Sequence, residues 1–280
     1  MERIQSAIAK ARAERQGQTS QAGQSPVSRA APARPAAPSP SSEADAAWAA
    51  LKPVAVDPAQ MQHNRIVAFT GGTEATAYGV LRTRVLQQAR QNGWKRVGVT
   101  SPTAGCGKTT TALNLGFSLA RHPEIRTVLA ELDMRRPAFV RMLGAQGEAS
   151  FAEVLQGTAA FADAALCHGK NLAIAPVTRV VRNPAELLHA PSVPAALEGI
   201  EAQYAPDLMI FDMPPLLVSD DAMAIAGQLD AVLLIAAADA TSIRQVDMCE
   251  RELAAQTNVM GTILNKCRYL EKDDAYGYGY

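Results

Sequence analysis

A phosphate-binding loop is the strongest chemical signal in the sequence. The apolar run 97–100 predicts a buried strand, the turn Gly105-Cys106-Gly107 follows it, and Lys108-Thr109 opens a predicted helix. Glycines let the backbone N–H groups of such a loop point inward, and a helix N-terminus adds partial positive charge. Lys108 is then expected to reach the phosphates of a nucleotide, and the Thr109 hydroxyl to ligate Mg²⁺.

The whole loop is predicted to cradle phosphate. Its candidate binding residues are Thr103, Ala104, Gly105, Cys106, Gly107, Lys108, Thr109 and Thr110. The alternative is a helix N-terminus that contains Gly and Lys by coincidence, and Pro102 does stand where such loops usually have a glycine. We favour the loop because an apolar run precedes it and an apolar helical pattern follows it.

Three carboxylates at the ends of two other apolar runs are candidate catalytic and metal-binding groups. Glu131 and Asp133 lie two residues apart, on the same side of an extended chain. Asp212 ends an apolar run just before Pro214 and Pro215. A charge at the end of a buried strand is costly unless a cation or hydrogen bonds compensate it. Asp212 is therefore predicted to be a metal ligand, with a turn or helix-capping carboxylate as the alternative.

The composition excludes several function classes. The 280 residues carry 27 basic and 27 acidic side chains, so no global field favours nucleic acid as a partner. The four cysteines lack the spacing of metal ligands or disulfide pairs and are expected to be reduced thiols. No apolar run approaches the ~18 residues of a spanning helix. We expect a cytoplasmic protein that a partner recruits to the inner face of the membrane.

Apolar runs alternate with helical patterns along most of the chain, which predicts a single doubly wound α/β domain of the P-loop NTPase type. Near-continuous apolar strands favour a mostly parallel sheet that is covered on both faces, with its site at the carboxyl ends of the strands. The predicted strands are 96–101, 127–133, 172–177, 208–213, 231–237 and 260–266. The predicted helices are 73–91, 107–121, 151–156, 192–204, 221–228 and 242–256.

The ends of the chain differ in composition from this domain. Residues 1–15 can form a short amphipathic helix that either docks on a partner or frays, and 16–45 read as a disordered linker rich in Pro, Ala, Ser and Gln. The domain is expected to span 46–268 and a tyrosine-rich tail 269–280. The tail holds Tyr269, Tyr276, Tyr278 and Tyr280 in a setting with no packing purpose.

These motifs together resemble those of the bacterial tyrosine kinases (BY-kinases) of capsule and exopolysaccharide export. The loop fills their Walker A segment, 129–135 their A-prime segment and 211–215 their Walker B segment. Residues 183–188, 221–222 and 264–266 are similar to further blocks of that family, and the likeness runs from about residue 73 to 267. The opening residues 1–8 resemble cytosolic members whose transmembrane activator is a separate protein.

The resemblance implies an ATP- and Mg²⁺-dependent protein-tyrosine autokinase. It implies that Thr109 and Asp212 hold Mg²⁺, that Asp133 assists it and that Lys108 neutralises the transferred phosphoryl group. Glu131 would be the base that accepts the tyrosine proton. It also implies that Asn265 contacts the adenine edge, although Asn265 could equally cap the turn that follows it.

The family further implies partners and acceptors. A membrane-embedded polysaccharide co-polymerase, which sets chain length, would be the activator, and self-association would allow phosphorylation in trans. The four tail tyrosines would be the phosphoacceptors. On this hypothesis unphosphorylated tails dock into neighbouring active sites and phosphorylation releases the assembly. The alternative is a low-complexity tail with no role.

Three departures from the family pattern favour weaker activity or assembly. Glu131 replaces the usual Asp and extends one C–C bond further, and Met213 replaces a Ser or Thr and so removes a hydroxyl beside the site. The Glu-x-x-Arg-x-x-Arg motif that pairs subunits into a ring reads Thr76, Gly79 and Arg82 here. We therefore expect no stable ring without the partner.

Two other functions stay open at this point. One is a nucleotide-binding regulatory scaffold with weak or no kinase activity, which the departures at Glu131 and Met213 favour. The other is a positioning ATPase of the cell-division and partitioning type, which shares the fold and the loop. Such ATPases carry a signature lysine early in the loop, where this chain has Thr103.

Overall fold

The computed structural model describes residues 40–267, which form an α/β domain around one eight-stranded sheet. The strands are β1 Lys52–Pro53, β2 Arg96–Thr100, β3 Thr127–Glu131, β4 Leu166–His168, β5 Leu172–Ala175, β6 Leu208–Asp212, β7 Ala231–Ala237 and β8 Asn258–Asn265. Their order in the sheet is β1-β4-β5-β3-β6-β2-β7-β8. Every neighbouring pair is parallel except β4 and β5. The predicted doubly wound, mostly parallel fold is confirmed.

Helices cover both faces of the sheet. They are α1 Pro40–Ala50, α2 Pro58–His63, α3 Val67–Thr70, α4 Thr76–Asn92, α5 Lys108–Ala120, α6 Phe139–Leu143, α7 Phe151–Leu155, α8 Phe161–Ala164, α9 Pro184–Leu188, α10 Ser192–Tyr204, α11 Asp221–Ala226 and α12 Ile243–Ala254. A 3₁₀ turn, Thr73–Ala75, leads into α4. Within residues 40–267 no helix combines the length and apolarity that crossing a bilayer requires.

Two hydrophobic cores lie on opposite faces of the sheet because side chains alternate along a strand. On β3, Val128 and Ala130 belong to one core while Leu129 belongs to the other. Helices α10, α11 and α12 contribute to the first core, and α4 and α5 to the second. Both faces of the central strands are therefore buried, which explains why these strands read as continuous apolar runs.

The parallel register brings the chemical residues to one edge. Val99 of β2 and Glu131 of β3 are both Cα partners of Asp212, the last residue of β6. The phosphate loop follows β2 and Asp133 follows β3, so the loop and all three acids meet at the carboxyl edge of neighbouring strands. Crevices at this edge are where ligands bind in open α/β sheets.

Several elements at the β1 side of the sheet were not predicted. Strand β4 has only three residues and pairs antiparallel with β5 across a tight hairpin. The Asn171 amide stabilises this hairpin by donating to the carbonyls of Ala120, His122 and Ile125. Contacts of this kind between distant segments leave no periodic pattern in the sequence, so a three-residue strand gives no signal.

Helix α1 begins at Pro40, whereas the sequence analysis extends the linker to residue 45 and starts the domain at 46. The helix is anchored by Trp48, whose indole Nε1 donates to the Tyr204 carbonyl at 2.8 Å. The two aromatic rings also pack edge to face, with centroids 6.2 Å apart. This contact orders the helix, including polar residues whose composition resembles that of a linker. The predicted segment 1–15 and the tail tyrosines lie outside the described residues.

We expect Trp48→Ala to lower the free energy of unfolding by about 3 kcal/mol, because it removes a buried aromatic side chain and leaves the Tyr204 carbonyl without its donor. Urea denaturation followed by circular dichroism measures this change. Leu264→Ala is the control, since Leu264 is 62% exposed. A loss for Trp48→Ala no larger than that of the control would show that α1 does not stabilise the domain.

Candidate active site

The phosphate loop runs from the end of β2 to the first residue of α5, and two glycines shape it. Gly105 and Gly107 adopt φ angles of 84° and 97°, which disfavour any residue with a Cβ. A Cβ at Gly107 would also lie 2.3 Å from the Asn265 side-chain nitrogen. Behind the loop, the Thr100 hydroxyl donates to the Pro214 carbonyl at 2.7 Å, which ties the loop to the segment after β6.

Lys108 lies at the centre of a cluster of buried charges. Its Nζ is 2.6 Å from Asp133 Oδ2, 4.0 Å from Asp212 Oδ1 and 3.4 Å from the Thr109 hydroxyl. Burial by itself would lower the pKa of Lys108, but the Asp212 and Asp133 carboxylates outweigh it and raise that pKa. Lys108 is therefore a buried cation that is held by two carboxylates.

Asp212 is the most desolvated acid of the site. It is completely buried, and neither carboxylate oxygen has a hydrogen-bond partner within residues 40–267. Burial raises the pKa of Asp212 to about 6, even though Lys108 and the nearby Thr109 hydroxyl act to lower it. An orphaned carboxylate next to a hydroxyl fits a hard divalent cation, which supplies the missing positive charge.

The protein's share of such a metal site would be small. The described part of the chain contains no group of three or more His, Cys, Asp or Glu side chains placed to hold a metal ion. Mg²⁺ commonly binds through one or two carboxylates and keeps several waters. The donor set of Asp212 and Thr109 therefore fits Mg²⁺ that arrives with a nucleotide.

Glu131, the expected base, is a buried anchor for backbone amides in this structure. Its Oε1 accepts hydrogen bonds from the N–H groups of Ala138 and Phe139, and its Oε2 accepts one from Val177 at 2.9 Å. Burial raises the pKa of Glu131 to about 7, the Ala138 amide opposes this and Asp212 adds to it. These bonds tie the end of β3 to α6 and to the segment after β5, and they occupy both oxygens.

Asn265, which lies in the family block 264–266, contacts the phosphate loop, and both the nitrogen and the oxygen of its amide form hydrogen bonds. Its Nδ2 donates to the Cys106 carbonyl at 2.9 Å, and its Oδ1 accepts from the Lys266 N–H at 2.8 Å. The side chain thus holds the loop from the β8 side. Nδ2 keeps a second N–H and Oδ1 a second lone pair, so contact with the adenine edge stays a prediction.

Cys106 is buried inside the loop. Its Sγ lies 3.3 Å from the Thr103 carbonyl oxygen and 3.6 Å from the Thr241 hydroxyl. Burial would raise the pKa of this thiol, but the hydroxyls of Thr103 and Thr241 outweigh burial and lower it. Cys106 therefore helps to fix the fold of the loop from beneath. Of the other predicted cradle residues, Ala104 and Gly105 are exposed, while Thr103, Gly107, Thr109 and Thr110 are partly buried.

Met213 does not line the site, although its position in the Walker B segment suggested that it would. The side chain is fully buried in the core, and a Cβ at Gly98 would lie 2.4 Å from its sulfur. The residue after Asp212 faces away from the phosphate loop because side chains alternate along an extended chain. Replacing a hydroxyl by a thioether at this position changes the packing of β2 rather than the chemistry of the site.

An ion pair that the sequence analysis did not assign supports the site from the β6 side. The buried Asp221 carboxylate accepts from Arg135 Nε at 2.5 Å and from its Nη2 at 2.9 Å, and the Ser219 hydroxyl donates to it at 2.8 Å. This bidentate pair joins the loop after β3 to the start of α11. The two residues are 86 positions apart, so only their membership of two family blocks could have signalled the contact.

Arg82, the remaining residue of the ring motif, is used within the protomer. Its guanidinium donates to the Ser118 carbonyl at 3.1 Å, near the end of α5. Burial and the neighbouring Arg121 lower the pKa of Arg82. This arginine therefore packs α4 against α5 in the described structure.

Comparisons with known proteins identify the family of this domain. Residues 97–274, more than half of the chain, match the family model of the CobQ/CobB/MinD/ParA nucleotide binding domain. The tyrosine-protein kinase YwqD of Bacillus subtilis is 28% identical over 223 residues, which cover 78% of this chain and 92% of YwqD. The tyrosine-protein kinase CpsD of Streptococcus pneumoniae is 28% identical over 68% of this chain and 82% of CpsD.

A solved structure gives the same relationship. The kinase domain of the Escherichia coli tyrosine kinase ETK aligns with a TM-score of 0.66 at 25% identity, covering 77% of this chain and 84% of that domain. The chain therefore belongs to the CobQ/CobB/MinD/ParA family of nucleotide-binding domains, and its relatives place it in the bacterial tyrosine-kinase branch of that family.

Proposed function

We propose that this protein is an ATP-dependent protein-tyrosine autokinase that phosphorylates its own C-terminal tyrosines and regulates the polymerisation and export of an exopolysaccharide or capsule. The observation that carries the proposal is the buried cluster of Lys108, Asp133 and Asp212 beside a glycine-shaped phosphate loop. Two relatives of this chain, YwqD and CpsD, are named tyrosine-protein kinases. Phosphoryl transfer depends mainly on positioning and charge neutralisation, which this cluster can supply.

Lys108 links nucleotide binding to the ion pair of Asp133. Its ammonium is held by Asp133 at 2.6 Å. The phosphates of ATP compete for the same ammonium, and their binding leaves the Asp133 carboxylate with the Arg136 backbone N–H but without its cation. Asp212 and Thr109 would hold Mg²⁺, which neutralises phosphate charge when it is bound.

We assign the proton-accepting role to Asp133 instead of Glu131. Asp133 is 5% exposed, contacts Lys108 through Oδ2 and accepts a single backbone N–H, from Arg136 at 3.2 Å, whereas Glu131 is completely buried and accepts three backbone N–H groups. A general base must come within hydrogen-bond reach of the proton that it removes. Glu131 then acts as a positioning residue that fixes the segment carrying Asp133.

The proposed activator is a membrane-embedded polysaccharide co-polymerase, and the phosphorylation is proposed to occur in trans. Two slots of the ring motif hold Thr76 and Gly79, and Arg82 is bonded within its own protomer. Association between copies would therefore depend on an external organiser. Measuring mass by light scattering with and without the cytosolic segment of the activator tests this dependence.

Paired substitutions separate the roles of the two A-prime acids. We expect Asp133→Asn to lower the phosphorylation rate by about 10²-fold or more, while nucleotide binding persists. We expect Glu131→Gln to lower the free energy of unfolding by about 1–3 kcal/mol, because an amide nitrogen cannot accept the backbone N–H groups that the carboxylate holds. Single-turnover phosphorylation and urea denaturation provide the two measurements. A rate loss of 10²-fold in Glu131→Gln at unchanged stability would instead identify Glu131 as the base.

We expect the Asp212 carboxylate to lower the stability of the domain while it is required for phosphorylation. We expect Asp212→Asn to abolish phosphorylation and yet to raise the free energy of unfolding without ligand by about 1 kcal/mol, because it removes a buried charge that accepts no hydrogen bond within residues 40–267 and lies 4.0 Å from Lys108. Thermal unfolding with and without Mg-ADP measures both effects. The wild type should be stabilised by Mg-ADP much more than the variant. A variant that is destabilised in the absence of ligand would show that Asp212 is already compensated by the protein.

The tail tyrosines are expected to acquire phosphate when the purified protein is incubated with Mg-ATP. Peptide mass spectrometry should find modification at Tyr276, Tyr278 or Tyr280 in the wild type and none in Lys108→Met. Tyr204 provides an internal control, since it is 1% exposed and should stay unmodified in both. Unmodified tails in the wild type, both alone and with the activator segment, would favour a non-enzymatic nucleotide-binding scaffold.

A further inference from the structure

Two loops at the carboxyl edge of β3 and β5 carry exposed arginines next to the site. Arg136 lies in the loop after β3, and Arg179 and Arg182 lie in the segment after β5. The two segments are held side by side, because the Val181 N–H donates to the Met134 carbonyl at 3.0 Å. We name Arg136, Arg179 and Arg182 the arginine rim.

The charges of the arginine rim are not paired with carboxylates of the described domain. Within residues 40–267 no ion pair joins the side chains of Arg136, Arg179 or Arg182 to a carboxylate. Neighbouring Arg135 differs, since it is paired with Asp221. Three unpaired guanidinium groups at one edge of the sheet attract an anionic partner.

Three of the acids in the vicinity of the rim already have other partners, and exposed Asp220 acts on neighbouring Arg135. Asp133 is paired with Lys108, and Glu131 is bonded to backbone amides. Glu186, on α9, accepts from the Asn183 side chain at 3.2 Å. The positive charge of the rim is therefore available to a segment outside the described domain.

The C-terminal segment of this chain has the complementary chemistry. Glu271, Asp273 and Asp274 come shortly before Tyr276. They outnumber the two basic residues of 268–280, Arg268 and Lys272, and Tyr276, Tyr278 and Tyr280 follow them at glycine-spaced positions. A positively charged surface beside a kinase site can bind acidic residues that come shortly before acceptor tyrosines.

The exit point of that segment lies at the same edge of the sheet. Strand β8 is parallel to β7, and Asn265 at its end bonds to the Cys106 carbonyl in the phosphate loop. The described chain ends two residues later, at Cys267. Four strand spacings separate β8 from β3 and five separate it from β5, roughly 19 and 24 Å, and the seven residues from Cys267 to Asp274 can extend about 24 Å. The segment thus reaches the rim of its own chain only when it is fully extended, whereas docking on a second copy, as phosphorylation in trans requires, is free of this limit.

We propose that the arginine rim is the substrate-docking site of this kinase and binds the acidic residues Glu271, Asp273 and Asp274 that precede Tyr276, Tyr278 and Tyr280. The inference rests on the proposed kinase function and adds to it the class of substrate, a tyrosine with acidic residues on its N-terminal side. The acids fix the position of the segment, so that the following tyrosines face the Lys108 cluster.

A binding measurement tests the docking without relying on catalysis. The receptor is the full chain with Glu271→Gln, Asp273→Asn and Asp274→Asn, so that its own tail does not compete. The probe is a fluorescent peptide with the sequence of residues 268–280, followed by anisotropy. We expect Arg179→Glu/Arg182→Glu to weaken binding by about tenfold at low salt, with a smaller difference at high salt. Arg251→Glu, an exposed arginine of α12, is the matched control and should change little.

Equal affinity of the double variant and the Arg251→Glu control would overturn the proposal. The milder Arg179→Gln/Arg182→Gln variant, with thermal unfolding and ADP binding measured alongside, shows whether a loss comes from the rim or from misfolding. Vesicles containing an anionic phospholipid form a second arm. Rim variants that lose vesicle binding but keep peptide binding would assign the rim to a membrane surface and overturn the docking of the tail.

A charge exchange tests the same contact during phosphorylation. The acceptor is full-length Lys108→Met, and the enzyme is either wild type or Arg179→Glu/Arg182→Glu. We expect Asp273→Lys/Asp274→Lys in the acceptor to lower phosphorylation by the wild type about tenfold, and the rim variant to restore it at least partly. Absence of rescue would contradict direct contact. Absence of any phosphorylation by the wild type would contradict the proposed function, while the peptide-binding measurement would still decide the docking.

Discussion

The contact of Lys108 with Asp133 and Asp212 is the interaction on which the rest of the structure depends. Three charges meet where water is nearly excluded, and Asp212 receives no hydrogen bond from the described chain. Such a cluster is tolerated only where the surrounding fold over-determines it. Parallel strands supply that constraint, because they end side by side and place the phosphate loop and both acids at one edge.

The supporting contacts are consequently concentrated around this cluster. Asn265 holds the phosphate loop from β8, Glu131 holds the segment after β3, and Arg135 with Asp221 closes the β6 side. Each contact joins segments that are far apart in the chain. In each, a polar side chain bonds either to a backbone group or to a side chain of opposite charge. These residues resemble candidate catalytic groups by type, but in this structure they fix the positions of the groups that face the ligand.

This division explains which features could be predicted from the sequence. The central strands and the phosphate loop have local patterns, because a strand buried on both faces is a continuous apolar run and the loop needs glycine at Gly105 and Gly107. Which way a side chain points from a strand end is not local. Glu131 faces backbone amides and Met213 faces Gly98, and both orientations follow from tertiary neighbours. Helix α1 is ordered by Trp48 against Tyr204, 156 positions away.

The placement of free charge follows the same reasoning. The acids of the site are bonded to Lys108, to backbone amides or to Arg135. The three arginines of the rim, in contrast, have no carboxylate partner within residues 40–267. A balanced chain with 27 charges of each sign thus places unpaired positive charge beside its active site and carries Glu271, Asp273 and Asp274 outside the described domain. Net charge alone conceals this separation. Recognition between the two parts would need only exposed charge pairs, which are individually weak and so permit the tail to leave after it has been modified.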